Sequence, residues 1–198
     1  MNKEKYTDIF MFIAKSIEKR GYDPKDPGGV TIYGITKLYH PQMFEKIKNA
    51  VYSENDDKIN EAITNVYYEY YNTVTHKAKE LEFLFPLNIQ YFDMAFNAGC
   101  DDAIFVLQRT IKEIFDIDEL IVDGDWGPQT SKYVNFVKGN ITECLKSRIY
   151  YRYVINRIDR YTEKSRRYSF GLIKNRALKL SSFLENNDYV TFCMKSEE

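Results

Sequence analysis

Glycine and proline are concentrated in one short part of the chain, and this constrains the fold more than any other feature. The 198 residues include only 9 Gly and 5 Pro, and six of these fourteen lie within residues 21–36. So few turn-forming residues elsewhere argue against an all-β fold, and the rest of the chain is expected to be helical. Within the loop, Thr31-Ile32-Tyr33 is predicted to form a short β-segment.

Apolar side chains recur at helical spacing along most of the remaining sequence. The pattern predicts a mainly α fold with helices over residues 6–20, 57–82, 88–98, 101–115, 128–138, 141–162 and 168–185. Tyr67, Tyr70 and Tyr71 lie on the second of these helices. Core packing is the default interpretation for aromatic side chains at such positions, so most of the 17 tyrosines are expected inside the protein.

The net charge of −1 conceals an uneven distribution along the chain. Residues 144–180 hold 11 basic and 2 acidic side chains, whereas residues 1–143 hold 16 basic and 23 acidic ones. The basic segment could attract an anionic polymer such as cell-wall glycan, lipid or nucleic acid, or it could be a helix with a solvated basic face. No recognised nucleic-acid motif occurs, and no apolar run reaches the roughly 18–20 residues of a membrane span. Neither nucleic acid nor a membrane span is therefore predicted.

Cysteine and histidine are too few to suggest a metal site or a disulfide framework. Cys100, Cys144 and Cys193 lack any CxxC spacing, and His40 and His76 cannot form a multi-histidine site. No metal and no cofactor are predicted. The N-terminus also lacks the pattern of a signal peptide, which predicts a cytoplasmic location as synthesised.

Asp123-Gly124-Asp125 is a segment that invites a calcium interpretation. An EF-hand needs ligands at alternating positions, a Gly at the sixth and a Glu at the twelfth. Counting from Asp116 or Asp118 does not produce that pattern. A turn before a helix that begins at Pro128 is predicted instead.

Glu18 is the first candidate catalytic residue because it falls in the last turn of the first predicted helix. The negative end of the helix dipole disfavours a carboxylate there and is expected to raise its pKa. A raised carboxyl pKa suits a general acid, which must hold a proton near neutral pH. By position alone, the alternative interpretation is a solvated residue at a helix end.

The segment after Glu18 closely resembles the signature of a known family. Residues 23–36, DPKDPGGVTIYGIT, resemble the loop of glycoside hydrolase family 108, which comprises bacterial and phage muramidases. Residues 92–99, FDMAFNAG, resemble the family's Phe-Asp-x-x-x-Asn-x-Gly segment. Residues 103–108 and 122–130 resemble its predicted peptidoglycan-binding half, and Phe170-Gly171 with Arg176 resembles its C-terminal ending without the tryptophan.

The resemblance implies a lysozyme-like, bilobal single globule that acts on bacterial peptidoglycan. It implies a catalytic lobe over residues 1–86, a predicted peptidoglycan-binding lobe packed against it over residues 87–185, and a tail over residues 186–198. The implied reaction is hydrolysis of the β-1,4 bond between N-acetylmuramic acid and N-acetylglucosamine.

The resemblance also implies roles for individual residues. Glu18 would be the general acid, while Asp26 and Thr31 would position a water or stabilise positive charge on the sugar. Substrate contacts are predicted for three further residues: Tyr33, Thr36 and Asn97.

The sequence departs from the family pattern around the candidate acid. Glu18-Lys19-Arg20-Gly21-Tyr22 replaces Glu-Gly-Gly-Tyr, which places Glu18 one position closer to Asp26 than the family spacing. A shift of one helical position rotates a side chain by about 100°. The leading prediction is a monomeric muramidase, such as a phage endolysin released through a holin or another secretion route. The alternative is a peptidoglycan-binding or lysis-associated protein without catalytic activity.

Overall fold

The computed structural model of the protein describes residues 3–18, 29–164 and 169–190. The chain divides into two compact units, Met1–Val74 and Thr75–Glu198. Helices account for most of the described residues and the one sheet among them has two short strands, so the predicted mainly α class is confirmed. The boundary between the units lies after Val74, twelve residues before the predicted lobe boundary at residue 86. The assignment of functions to the lobes stays a prediction.

The first unit combines helices with a small hairpin. Its elements are α1 (Lys3–Phe12), which continues as a π-helix over Ile13–Glu18, β1 (Thr31–Ile32), β2 (Ile35–Thr36), α2 (Pro41–Tyr52) and α3 (Asp56–Thr73). α3 packs against both α1 and α2. Tyr67 and Tyr71 of α3 contact Phe10 of α1, with ring centroids 5.9 and 6.1 Å away. All three tyrosines predicted for the core, Tyr67, Tyr70 and Tyr71, are buried.

α2 is absent from the sequence-based prediction. Pro41 occupies its first turn, where a missing N–H does no harm. The apolar residues that α2 buries, at helical spacing, are Met43, Phe44, Ile47 and Val51. The stripe therefore exists in the sequence, but it is short and directly follows the Gly-rich loop.

The second unit is made of helices throughout its described part. They are α4 (His76–Glu80), a 3₁₀ turn (Glu82–Leu84), α5 (Leu87–Ala98), α6 (Cys100–Phe115), α7 (Pro128–Gly139), α8 (Glu143–Lys164), α9 (Ser169–Leu172), a π-helix (Ile173–Leu178) and α10 (Lys179–Asn186). The prediction of one helix over residues 57–82 is wrong. The helix is broken because Thr75 leaves the helical conformation, with φ −105° and ψ 38°, and is buried where the second unit begins.

α5 is the central helix of the second unit, with α6 and α8 packed against it. Every residue from Leu87 to Ala95 is buried. Three of these, Asn88, Gln90 and Asp93, are polar, and buried polar groups are costly unless they are hydrogen-bonded. No helix in the described ranges is long and apolar enough to cross a membrane.

Candidate functional site

The hairpin of the first unit brings Thr31 and Thr36 side by side. Tyr33 and Gly34 form its two-residue turn, and both have positive φ (49° and 75°), as a type I′ turn requires. The antiparallel register pairs Thr31 with Thr36 and Ile32 with Ile35. Paired residues project from the same face of a hairpin, so the two hydroxyls lie on one face and the two isoleucines on the other.

The two faces of the hairpin have different surroundings. Ile35 is fully buried, and both strands pack against α2. Thr31, Tyr33 and Thr36 remain half-buried. The threonine pair is therefore accessible, as a pair of substrate-contacting residues must be.

Hydrogen bonds hold the turn in place. The hydroxyl of Tyr67 donates to the carbonyl oxygen of Tyr33 at 2.8 Å, which joins α3 to the turn. The backbone N–H of Lys37 donates to Val30 O at 3.0 Å, and the N–H of Tyr39 donates to Thr36 Oγ1 at 3.3 Å. These bonds make the hairpin a rigid support for its side chains.

Glu18 is the last residue of the π-helix that continues α1. This segment is anchored in the core through Ile13 and Ala14, while Glu18 itself is half-buried. Single-turn π-helices are rare and are frequently found at functional sites. Asp26, the other predicted catalytic carboxylate, lies outside the described residues, as do all of residues 19–28.

An open depression of about 230 Å³ lies beside the hairpin. Val30 and Ile32 line it, together with Lys37, Lys48 and Tyr52. Since side chains alternate along a strand, this depression lies on the opposite face of the hairpin from Thr31. It contains none of the residues predicted for the site.

Asp93 is the centre of a charged cluster inside the second unit. Its side chain is fully buried and accepts hydrogen bonds from two arginines, Arg157 of α8 and Arg176 of the second π-helix. Arg176 donates through Nε to Oδ2 at 3.0 Å and through Nη2 to Oδ1 at 3.1 Å. Its Nη1 donates to Asn97 Oδ1 at 3.0 Å. The fold thus brings together Asp93, Asn97 and Arg176, which belong to two of the family-like segments, residues 92–99 and the C-terminal ending.

Arg157 extends this cluster across the core. Its Nη1 donates to Gln90 Oε1 at 2.7 Å, and its Nε and Nη2 donate to the hydroxyl of Tyr161 at 3.1 and 2.8 Å. Gln90 Nε2 in turn donates to Ser181 Oγ of α10 at 3.0 Å. A buried hydrogen-bond network of this kind orders the helices that contribute to it.

The charges in the cluster decide the ionisation of Asp93. Burial alone would raise the pKa of its carboxyl, but Arg176 and Arg157 outweigh burial and hold the pKa below its usual value. Asp93 is therefore a carboxylate, and the cluster of one anion and two cations has a net positive charge. Such a group is a structural centre and cannot serve as a proton donor at neutral pH.

The basic segment 144–180 is more than a solvated face. Arg157 and Arg176 are buried against Asp93, and two further cations, Arg160 and Lys164, contact the buried carboxylate of Asp102. Asp93 of α5 and Asp102 of α6 thus neutralise part of the positive charge of this segment.

The segment 122–130 forms a turn ordered by one glutamine of α6. Gln108 Nε2 donates to Asp123 Oδ1 at 2.8 Å, and Gln108 Oε1 accepts the N–H of Gly124 at 2.8 Å. The N–H of Asp125 and the amide of Gln108 lower the pKa of Asp123. Helix α7 begins at Pro128, so the predicted turn before a helix is confirmed. Among the described residues, no group of three or more His, Cys, Asp and Glu side chains is arranged to hold a metal ion.

Gly124→Ala is expected to destabilise the second unit. Gly124 has φ 84°, and a Cβ there would lie 2.8 Å from the carbonyl oxygen of Asp101. The backbone conformation alone costs an alanine about 1–3 kcal/mol, and the contact adds to this. Urea denaturation measures the change. Gly139→Ala is the control, because its Cβ has no atom within 4 Å; an equal loss in both variants would contradict the explanation.

Sequence reasoning missed Arg157 and Tyr161 as members of a site. The signal was available in the spacing, since Arg157 falls on the same buried stripe of α8 as Tyr150, Tyr153 and Tyr161. An arginine on a buried stripe requires an acidic or polar partner.

Comparison with known families supports a hydrolase of the glycosidase class for this chain. Residues 19–99 match the family model described as Glycosyl hydrolase 108, which supports a lysozyme-type glycoside hydrolase. The match includes the hairpin and residues 92–99, and it begins directly after Glu18. It covers fewer than half of the 198 residues. It ends at Gly99, close to the start of the predicted peptidoglycan-binding lobe over residues 87–185, so the function of that lobe stays a prediction. No curated protein and no solved structure matches the chain.

Proposed function

We propose that this protein is a muramidase that hydrolyses the β-1,4 bond between N-acetylmuramic acid and N-acetylglucosamine in bacterial peptidoglycan. The family match over residues 19–99 carries the proposal, because it spans the loop with Asp26 and the hairpin with Thr31 and Thr36. In this proposal the protein serves as an endolysin that reaches the cell wall through a holin or another secretion route.

Glu18 is the proposed general acid. Protonation of the glycosidic oxygen makes the leaving sugar a good leaving group, while positive charge develops at the anomeric carbon. Asp26 is the proposed carboxylate that stabilises this charge or activates water. The hydroxyl of Thr31 positions the same water, and Thr36 and Tyr33 bind the sugar beside it.

Product analysis tests this function directly. The full chain is incubated with purified peptidoglycan, and the soluble fragments are reduced with borohydride and identified by mass spectrometry. The proposal expects new reducing ends on muramic acid. New ends on glucosamine would make the protein a glucosaminidase and would overturn the proposed bond.

The start of the family match favours one alternative. Because the match begins after Glu18, the candidate acid is not part of it, and a peptidoglycan-binding protein without catalytic activity is the second candidate function. Co-sedimentation with peptidoglycan and no released fragments would establish that alternative.

The threonine pair offers a comparison between two nearly identical variants. Thr31→Val and Thr36→Val each remove one hydroxyl from the same face of the hairpin and keep a residue suited to a strand. Thr31→Val is expected to lower kcat about tenfold or more, since the lost hydrogen bond acts on the reacting water. Thr36→Val is expected to raise KM several-fold at nearly constant kcat. Steady-state hydrolysis of soluble glycan strands measures both, and identical effects would contradict the separate roles.

A further inference from the structure

The turn of the hairpin in the first unit holds one residue in an unfavourable backbone conformation. Tyr33 has φ 49°, in the left-handed region, where the Cβ of an L-residue comes close to the following carbonyl oxygen. Type I′ turns favour Asn, Asp or Gly at their first central position and Gly at the second, and only the second is met here, by Gly34. Tyr33 is therefore strained, and contacts from outside the turn must hold it in place.

The two strands of the hairpin cannot supply this support by themselves. β1 and β2 have two residues each, and an isolated two-stranded hairpin is at best marginally stable in water. The burial of Ile35 and the packing of both strands on α2 hold the strands in place. These contacts act on the strands, so the turn needs a contact of its own.

Tyr67 of α3 provides a contact to the turn. Its side chain is fully buried, and its hydroxyl donates to the carbonyl oxygen of Tyr33 at 2.8 Å, so the bond acts on the strained residue itself. This carbonyl belongs to the central peptide of the turn, whose orientation is set by ψ of Tyr33 and φ of Gly34. The ring of Tyr67 packs against Phe10 of α1, with centroids 5.9 Å apart, which holds the hydroxyl at the turn.

We propose that Tyr67 is a positioning residue that keeps Tyr33 in its strained conformation and thereby directs the Tyr33 ring toward the sugar. The inference rests on the proposed function, in which Tyr33 contacts the substrate. Strained residues are concentrated at active sites and ligand-binding loops, where the surrounding structure pre-organises them. A ring that is already held in one direction loses less freedom when it binds. Because Tyr67 is fully buried, it acts through Tyr33 and not on the substrate directly.

Tyr67→Phe tests the hydrogen bond to the turn. Phenylalanine keeps the ring against Phe10 and removes the hydroxyl that reaches Tyr33. With soluble glycan strands as substrate, KM is expected to rise about threefold to tenfold, the range of one lost hydrogen bond, while kcat changes less than about twofold. A merely structural role gives the opposite result, because a loss of folded protein lowers the apparent kcat and leaves KM unchanged.

Tyr33→Asn tests whether Tyr67 acts through Tyr33. This substitution removes the ring and gives the turn the Asn-Gly sequence, which favours type I′ without outside support. Tyr33→Asn is expected to raise KM by itself. Adding Tyr67→Phe to it should then change KM by less than about 1.5-fold, since the two residues act on one conformation. Multiplication of the two separate effects on KM would overturn the proposal.

Hydrogen exchange reports the order of the hairpin without any substrate. The backbone N–H of Lys37 donates to Val30 O at 3.0 Å, so its exchange rate measures opening of the hairpin. The full chain, labelled with ¹⁵N, is followed by NMR in deuterated buffer. Exchange at Lys37 is expected to be about threefold faster in Tyr67→Phe than in the unaltered protein. Faster exchange with unchanged KM would show a purely structural bond and would overturn the positioning role.

Tyr153→Phe is the matched control. Tyr153 is also fully buried, and its hydroxyl donates to the carbonyl oxygen of Ala103 in the second unit at 3.4 Å. Its removal should leave KM and the exchange of Lys37 unchanged, so an equal rise of KM in Tyr153→Phe and Tyr67→Phe would overturn the role of Tyr67.

The outcomes separate this inference from the proposed function. Hydrolysis by the unaltered protein with an unchanged KM in Tyr67→Phe would refute the positioning role and leave the muramidase proposal standing. No released fragments from the unaltered protein would refute the muramidase proposal, and the role of Tyr67 in that reaction would fail with it. Hydrolysis with a raised KM in Tyr67→Phe, faster exchange at Lys37 and no further effect beside Tyr33→Asn would establish the positioning role.

Discussion

Glu18→Gln is expected to lower the rate of peptidoglycan hydrolysis about 10²–10⁴-fold, the range that a positioned general acid contributes. Glutamine preserves the size and hydrogen-bonding shape of the side chain but has no proton to give to the glycosidic oxygen. The leaving sugar must then depart as an alkoxide or wait for water to protonate it. Release of reducing ends from purified peptidoglycan, followed over time, measures the loss.

Two controls show whether the loss belongs to the chemistry. Glu61→Gln makes the same change at an exposed position of α3 and should retain full activity. Co-sedimentation of Glu18→Gln with peptidoglycan should equal that of the unaltered protein, since the substitution removes a proton donor and leaves binding surfaces intact. Hydrolysis that survives in Glu18→Gln would remove Glu18 from the mechanism and would require another acid.

Asp93→Asn is expected to lower the free energy of unfolding by about 3–5 kcal/mol, the cost of removing one partner from a buried ion pair. Arg157 and Arg176 would then remain inside the second unit with no carboxylate between them. Asparagine has similar volume, so the loss reports charge and hydrogen bonding and excludes a packing effect. Urea denaturation at neutral pH measures it.

Acid pH provides an independent check on Asp93. Because the folded pKa lies below the unfolded value, its ionisation stabilises the fold above about pH 4, and this contribution is lost as pH falls through the folded pKa. The difference between the unaltered protein and Asp93→Asn should therefore shrink in acid. Asp118→Asn, at an exposed position, should change stability by less than about 0.5 kcal/mol. A pH-independent difference would mean that charge is not the cause.

Local patterns account for most of what could be predicted from the sequence. The periodicity of apolar residues predicted most of the helices, and the crowding of glycine and proline located the hairpin loop. The burial of Tyr67, Tyr70 and Tyr71 also followed from their spacing. These features depend on residues close together in the chain, where propensity and periodicity carry the information.

Helix boundaries and helix type were harder to predict from the sequence. Spacing of 3.6 residues predicted an α-helix through Arg20, whereas the segment that ends at Glu18 is a π-helix. This difference changes the direction of Glu18, the residue on which the proposed chemistry depends. The end of α3 at Thr73 was missed for a related reason, since apolar spacing continues across the junction between the two compact units.

The sequence by itself determined a mainly α protein with one Gly-rich loop, a family resemblance and a set of candidate residues. Only the tertiary structure decided that Thr31 and Thr36 face the same side of a hairpin. It alone brought Asp93 to Arg157 and Arg176, which lie 64 and 83 positions away. The physical reason is that a buried charge pairs with an opposite charge that helix packing places beside it. The local sequence around either residue does not indicate which residue that will be.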